Sequence, residues 1–185
     1  MKTQIEIAEA TKKLILKKDF NQISVTNIMT GAGLRRQTFY DFYHDKYDVL
    51  AWIYQTEVNE AVSRCEDYAT WPETLVKMLT YFNDNREFYQ KVIQIDEQNA
   101  PEEVIESHIR EMVGSIFNEM ILVKRLPVDE AYQSFCEDML SAALISRLEK
   151  FLSTPAASID QEAKFMRTYI EDGMNGLISR IGNQN

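Results

Sequence analysis

Ser24 to Lys46 reads SVTNIMTGAGLRRQTFYDFYHDK, and the fold of the chain follows from how this stretch is divided. Val25, Ile28 and Met29 recur at helical spacing, and Ser24 stands where a helix needs a side-chain acceptor for its first free N–H groups. Gly31-Ala32-Gly33 then makes a turn in which Gly33 supplies positive φ without a Cβ penalty. A second short helix opens with Arg35, Arg36, Gln37 and Thr38 and closes on Phe39 and Tyr40. Two short helices across such a turn form a helix-turn-helix, whose second helix presents its N-terminal residues to the major groove. Arginine bridges guanine O6 and N7, and glutamine pairs with adenine N6 and N7. Arg36 and Gln37 are therefore the candidates for base contact, with Asp41 one turn later. Arg35, Thr38, Tyr40 and Lys46 are the candidates for phosphate contact. The competing reading, in which these charges are a solvated face, gives no reason for cations clustered after a glycine turn. Phe39 is expected to pack the core.

Working outward, residues 3 to 18 place Ile7, Ala8, Ala10, Leu14 and Ile15 on one helical face, with an end at Asp19 that a left-handed residue would make. Phe20 and Ile23 return beneath the helix-turn-helix. Asp45 caps a longer helix, with Asp48 at its third position, that runs to about Tyr68. Thr70 and Pro72 open the next, Asn83-Asp84-Asn85 breaks it, and a further helix covers Phe88 to Ile95. Pro101 starts a helix ending at Lys124-Arg125. Pro127 to Glu130 starts another that reaches about Leu152, and Ser158 caps the last. With only 6 glycines and 4 prolines in 185 residues, strands joined by tight turns are disfavoured, so the chain is expected to be all-α with about nine helices. The expected division is a three-helix DNA-binding domain over residues 1–47 and a larger helical ligand- or partner-binding and dimerisation domain over 48–185.

The formal net charge of −9 at first argues against nucleic acid. Its distribution reverses that: residues 1–50 hold eight Lys/Arg against six Asp/Glu, a net of +2, whereas residues 51–185 hold twelve against twenty-three, a net of −11. An acidic remainder repels a phosphate backbone and helps orient the molecule on a duplex. Cys65 and Cys136 form no Cys-x-x-Cys pair and read as small apolar core residues of a reducing compartment. His44 and His108 are too distant in sequence, and too few, to be a metal set, and no metal or other cofactor is expected. No glycine-rich phosphate loop, Ser-x-x-Lys or nucleophile elbow points to an enzyme. Without a leader-length or membrane-length apolar run, a cytoplasmic protein with no membrane partner is expected.

Two features of the acidic segment bear on partners. Trp52, Tyr81, Phe88, Tyr89, Met112 and Phe117 are candidates to line an effector pocket, or else are ordinary core, since aromatic residues at helical spacing usually pack helices together. The last two helices carry small residues at Ser141, Ala142 and Ala143 and a glycine pair at Gly173 and Gly176, which costs roughly 2 kcal/mol of helix propensity. Close approach to a second copy would recover part of it, and a twofold dimer doubles the contact of a single module by matching a palindromic site.

The span from Ile7 to Leu50 resembles the TetR-type transcriptional regulators, through Ile7-Ala8-x-Ala10, Phe20, Ile23, Ser24-Val25, Ile28, Ala32-Gly33-Leu34, Thr38-Phe39-Tyr40, Lys46 and Leu50. The run RRQTFYDFYHDKYDVLAWIY from Arg35, with Trp71, Leu75, Leu79, Tyr81 and Asn85-x-x-Phe88-Tyr89-Gln90-Lys91, is similar to the DhaS-like branch, the regulators of dihydroxyacetone kinase operons. The resemblance implies a dimer whose last two helices form a four-helix bundle between subunits, bound to a palindromic double-stranded operator. It implies for most of the family a repressor released by a small-molecule effector. For the DhaS-like branch it implies an activator working with a kinase-like co-regulator that senses dihydroxyacetone. The chain departs from the family at Arg35, where a capping serine is common, at Phe42-Tyr43, where His-Phe is common, and at Asp19, where glycine is more usual.

Overall fold

The structure is a computed structural model describing residues 2–62, 69–95, 102–154 and 158–182. Among the described residues it holds nine α-helices and no strand: α1 (Lys2–Ile15), α2 (Val25–Gly31), α3 (Arg36–Phe39), α4 (Lys46–Val62), α5 (Trp71–Asp84), α6 (Arg86–Val92), α7 (Glu102–Lys124), α8 (Glu130–Ser153) and α9 (Ile159–Gly182), with a 3-10 turn at Phe20–Gln22. They form two compact units, one of Met1–Glu60 with Asn85–Ile105 and the other of Ala61–Asp84 with Glu106–Asn185. Cys65, Tyr68, Pro101 and the 155–157 part of the loop before Ser158 lie outside the described residues.

In the first unit, α1 buries Ile7, Ala8, Ala10, Thr11 and Ile15, and the Thr11 hydroxyl is satisfied by the Ile7 carbonyl at 2.9 Å. The helix stops three residues short of the expected end, and Asp19 is extended at φ −63°, so no left-handed residue closes it. Its last carbonyls are instead met from α6: Lys91 Nζ donates to Ile15 O and Leu16 O, both at 3.0 Å. A second lysine crosses the same unit. Lys12 Nζ donates to both Glu57 carboxylate oxygens, at 2.9 and 2.8 Å, and to Asn85 Oδ1 at 3.2 Å, and it lies 5.5 Å from the Phe88 ring centroid. These two lysines tie α1 to α4 and α6, which is why residues 85–95 belong with the N-terminal helices.

With side-chain exposures of only 19% and 27%, the Lys12–Glu57 pair is largely shielded from water. Lys12→Met is expected to lower the unfolding free energy by about 1–2 kcal/mol, discounted from a fully buried pair for solvent screening. Equilibrium urea unfolding of the variant beside the wild type checks it.

In the second unit, α5 packs on α8 and α9, around a core that includes Trp71, Leu79, Phe82, Phe117, Met120, Phe151, Leu152 and Met166. Asp129 caps α8 by accepting from Ala131 N and Tyr132 N at 3.1 Å. Arg147 grips the buried Glu162 carboxylate with two nitrogens at 2.6–2.9 Å, fastening α8 to α9. Ser158 meets the α9 N-terminus through Gln161 N at 3.4 Å.

The α7 C-terminus is closed by Arg125 at φ +50°, with Leu126 N reaching Ile121 O at 3.0 Å and Arg125 N reaching Leu122 O at 3.2 Å. That is a left-handed cap made without glycine. Arg125→Gly is therefore expected to stabilise the unit by about 1 kcal/mol, read as a raised melting temperature.

Candidate nucleic-acid interface

The α2–turn–α3 segment is built by local chemistry. The Ser24 hydroxyl accepts from Asn27 N at 3.2 Å while Asn27 Oδ1 accepts from Ser24 N at 3.0 Å, a reciprocal cap in which Asn27 takes the part usual for Glu or Gln. At the other end Gly33 adopts φ +69°, Leu34 N reaches Met29 O at 2.9 Å and Gly33 N reaches Thr30 O at 3.2 Å. This Schellman closure needs a left-handed residue at Gly33. Ile28, Met29 and Phe39 are buried beneath it, and Tyr43 packs on Phe39 with ring centroids 5.5 Å apart.

What remains outside is polar. Arg35, Arg36, Gln37, Tyr40 and Asp41 are all exposed, and Thr38 is half-buried. Arg35 is the residue before α3 and makes no side-chain cap, as expected where serine is replaced. Arg36 Nη2 donates to Tyr40 Oη at 3.1 Å, with the guanidinium 5.9 Å from that ring. The next helix is also capped as its sequence requires: Asp45 Oδ1 accepts from Tyr47 N at 2.8 Å and Asp48 N at 3.1 Å, and Asp48 Oδ2 accepts from His44 N at 2.7 Å. Burial raises the Tyr43 phenol above its ordinary range, with Asp48 adding to the effect and Gln4 opposing it. Tyr54 is raised by burial alone.

Lys46 is half-buried: its ammonium donates to Phe20 O at 2.9 Å and sits 4.3 Å from the Phe20 ring centroid, and it keeps two further N–H donors. The six aromatic and methionine pocket candidates are divided between the two units. Trp52, Phe88 and Tyr89 belong to the first unit and Tyr81, Met112 and Phe117 to the second. Trp52 packs edge-on against Tyr43, with centroids 6.4 Å apart. Only Met112 and Phe117 line the apolar cleft between α5, α7, α8 and α9, whose cavity volume is about 40 Å³. Cys136 is half-buried beside an open groove and is not a core residue.

That groove, with a volume of about 540 Å³, runs along α8 and α9 and is lined by Tyr132, Phe135, Met139, Tyr169, Gly173 and Gly176 among others. Phe135, Met139, Phe165 and Tyr169 are 58–67% exposed, and a Cβ built on Gly173 or Gly176 meets nothing within 4 Å. Arg180 closes one end over the Tyr132 ring at 4.8 Å. The glycine pair at Gly173 and Gly176 was the sequence signal for this stripe, and the exposed Phe165 and Tyr169 beside it were not read from the sequence as part of it. Also unforeseen were Lys91 and Asn27, whose roles depend on atoms brought in by folding. Among the described residues no group of acidic, histidine and cysteine side chains is suited to hold a metal ion, and no helix is long and apolar enough to cross a membrane.

Residues 69–172 match a TetR family model described as a transcriptional regulator C-terminal region. The HTH-type dhaKLM operon transcriptional activator DhaS of Lactococcus lactis subsp. lactis (strain IL1403) is 39% identical over 94 residues, which span 51% of this chain and 50% of that relative. The chain thus aligns with about half the length of that relative. A solved structure of the dihydroxyacetone kinase operon activator DhaS superposes with a TM-score of 0.70 at 26% identity, covering 97% of this chain and 96% of the other. A TetR transcriptional regulator from Streptococcus agalactiae 2603V shares the fold, with a TM-score of 0.65 at 19% identity over 91% and 93% of the two chains. On the family match over more than half its length, the chain belongs to the TetR family of transcriptional regulators.

Proposed function

We propose that this regulator works as a homodimer on a palindromic operator, reading bases with Arg36 and Gln37 and, one turn on, Asp41, while Arg35, Thr38 and Tyr40 hold phosphates. Lys46 serves to fix the first turn of α4 to the Phe20 turn. The observation that carries the reading is the exposed Arg35-Arg36-Gln37 run directly after a glycine-closed turn. The dimer forms through the α8–α9 groove, where four large apolar side chains stand in water and two glycines leave room for a second backbone. Selecting bound duplexes from a random pool tests this: an inverted repeat with half-sites about one helical turn apart is expected. Enrichment of single, unrepeated sites, or of nothing, contradicts it.

The regulated genes are those of dihydroxyacetone kinase, and control is by activation with a kinase-like co-regulator, in line with the DhaS likeness. The apolar cleft of about 40 Å³ is small beside preformed small-molecule sites of roughly 300 Å³ or more, and the open groove of about 540 Å³ is assigned here to the second subunit, so a protein co-regulator is the reading preferred. A reporter driven by the selected operator, with and without dihydroxyacetone and the candidate co-regulator, separates activation from release of a repressor. Acting on chromosomal DNA, the protein works inside the cell.

A further inference from the structure

We infer that Tyr40 is a positioning residue for Arg36, so that the tyrosine governs base discrimination as well as affinity; this rests on the reading that Arg36 meets a base. The two side chains lie one turn apart and are joined twice, by the 3.1 Å bond from Arg36 Nη2 to Tyr40 Oη and by the guanidinium lying 5.9 Å from the ring. Tyr40 is a firm post. Although 52% exposed, its ring stands edge-on against the fully buried Phe39, with centroids 5.4 Å apart at 78°, and its backbone N–H is held by Gln37 O at 3.2 Å. Among the described residues Arg36 has no salt bridge to a carboxylate, so its charge is not neutralised within the chain.

The chemistry of the pair suits a groove. A guanidinium carries five N–H donors, and Tyr40 takes one, leaving enough for the two-pronged contact with guanine. A free arginine on the surface loses rotamer freedom when it docks; one already held loses less, and more of its hydrogen bonding appears as preference for the right base. The Tyr40 oxygen accepts from Arg36, so its own O–H stays available to donate to a phosphate. One hydroxyl thereby links the base contact to the backbone contact, with each bond polarising the other.

The test uses the full-length protein, its selected operator and duplexes carrying each symmetric base-pair change, with affinities from fluorescence anisotropy. For the wild type, changing the base pair that Arg36 reads should weaken binding about 10-fold. In Tyr40→Phe, which keeps the ring, that ratio should shrink at least about 3-fold while ratios at other positions stay as they are. In Arg36→Ala the ratio should vanish, and adding Tyr40→Phe should remove no further discrimination. Uniform weakening of every duplex by Tyr40→Phe, with all ratios kept, overturns the positioning role alone. Wild-type ratios at every position in Arg36→Ala overturn the base-contact reading and the positioning role together. Circular dichroism and size-exclusion profiles matching the wild type establish that a loss is not one of folding or assembly.

Discussion

Tyr169→Glu is expected to convert the dimer to monomer and to weaken operator binding at least about 30-fold. Tyr169 is 67% exposed at the centre of a stripe with Phe165 and Gly173, opposite Phe135 and Met139 on α8. In a twofold interface each residue appears twice, so one substitution sets two carboxylates into an apolar contact, and neither has a partner there. Specific DNA binding typically exceeds non-specific binding by about 10³-fold or more. Losing one of two equal half-sites removes half of that free energy, which gives the 30-fold lower bound. Analytical ultracentrifugation and operator titration should move together. Gly173→Ala with Gly176→Ala is the gentler companion: nothing within the chain opposes the added methyls, so each should strengthen α9 by about 1 kcal/mol while weakening the dimer.

The second large effect is at Arg36. Its guanidinium is exposed and charged, and it follows a turn fixed by Gly33 at φ +69°. A good two-pronged arginine contact contributes about 1–3 kcal/mol of discrimination, or roughly 5- to 150-fold at one base pair of each half-site. Arg36→Ala should erase that preference at one position and leave the others. Arg35→Ala should behave differently, weakening all duplexes alike, because a phosphate contact carries no sequence information. Competition binding against a panel of single-position operator variants distinguishes the two outcomes.

Legibility from the sequence ended where a residue's partner lies far along the chain. Ser24, Gly33 and Asp45 were readable as caps and turns because their partners lie within five residues, so the local chain decides their geometry. Exposure of Arg36 and Gln37 was readable too, since a short helix has few faces and Phe39 takes the buried one. The tie from Lys46 to Phe20 was not legible because the two lie 26 residues apart. Lys12 and Lys91 escaped notice for the same reason, at separations of 45 and 76 residues from Glu57 and Ile15. The candidate pocket set met a different limit. Helical periodicity says that Trp52, Phe88 and Tyr89 are apolar, but not which unit they join; in the structure all three sit in the first unit, Phe88 and Tyr89 buried and Trp52 half-buried.

The central claim is that a cationic tip around Arg35 and Arg36 engages the phosphate backbone and groove of a duplex. Its most direct measurement is the dependence of operator affinity on salt, with log K falling by about 0.9 per log unit of salt for each phosphate neutralised. A dimer with several contacts per half-site should give a slope of about −4 or steeper, and Arg35→Ala should make it shallower by about 2, one contact per protomer. A folded dimer with a flat slope, or with no duplex binding even at low ionic strength, would contradict the claim.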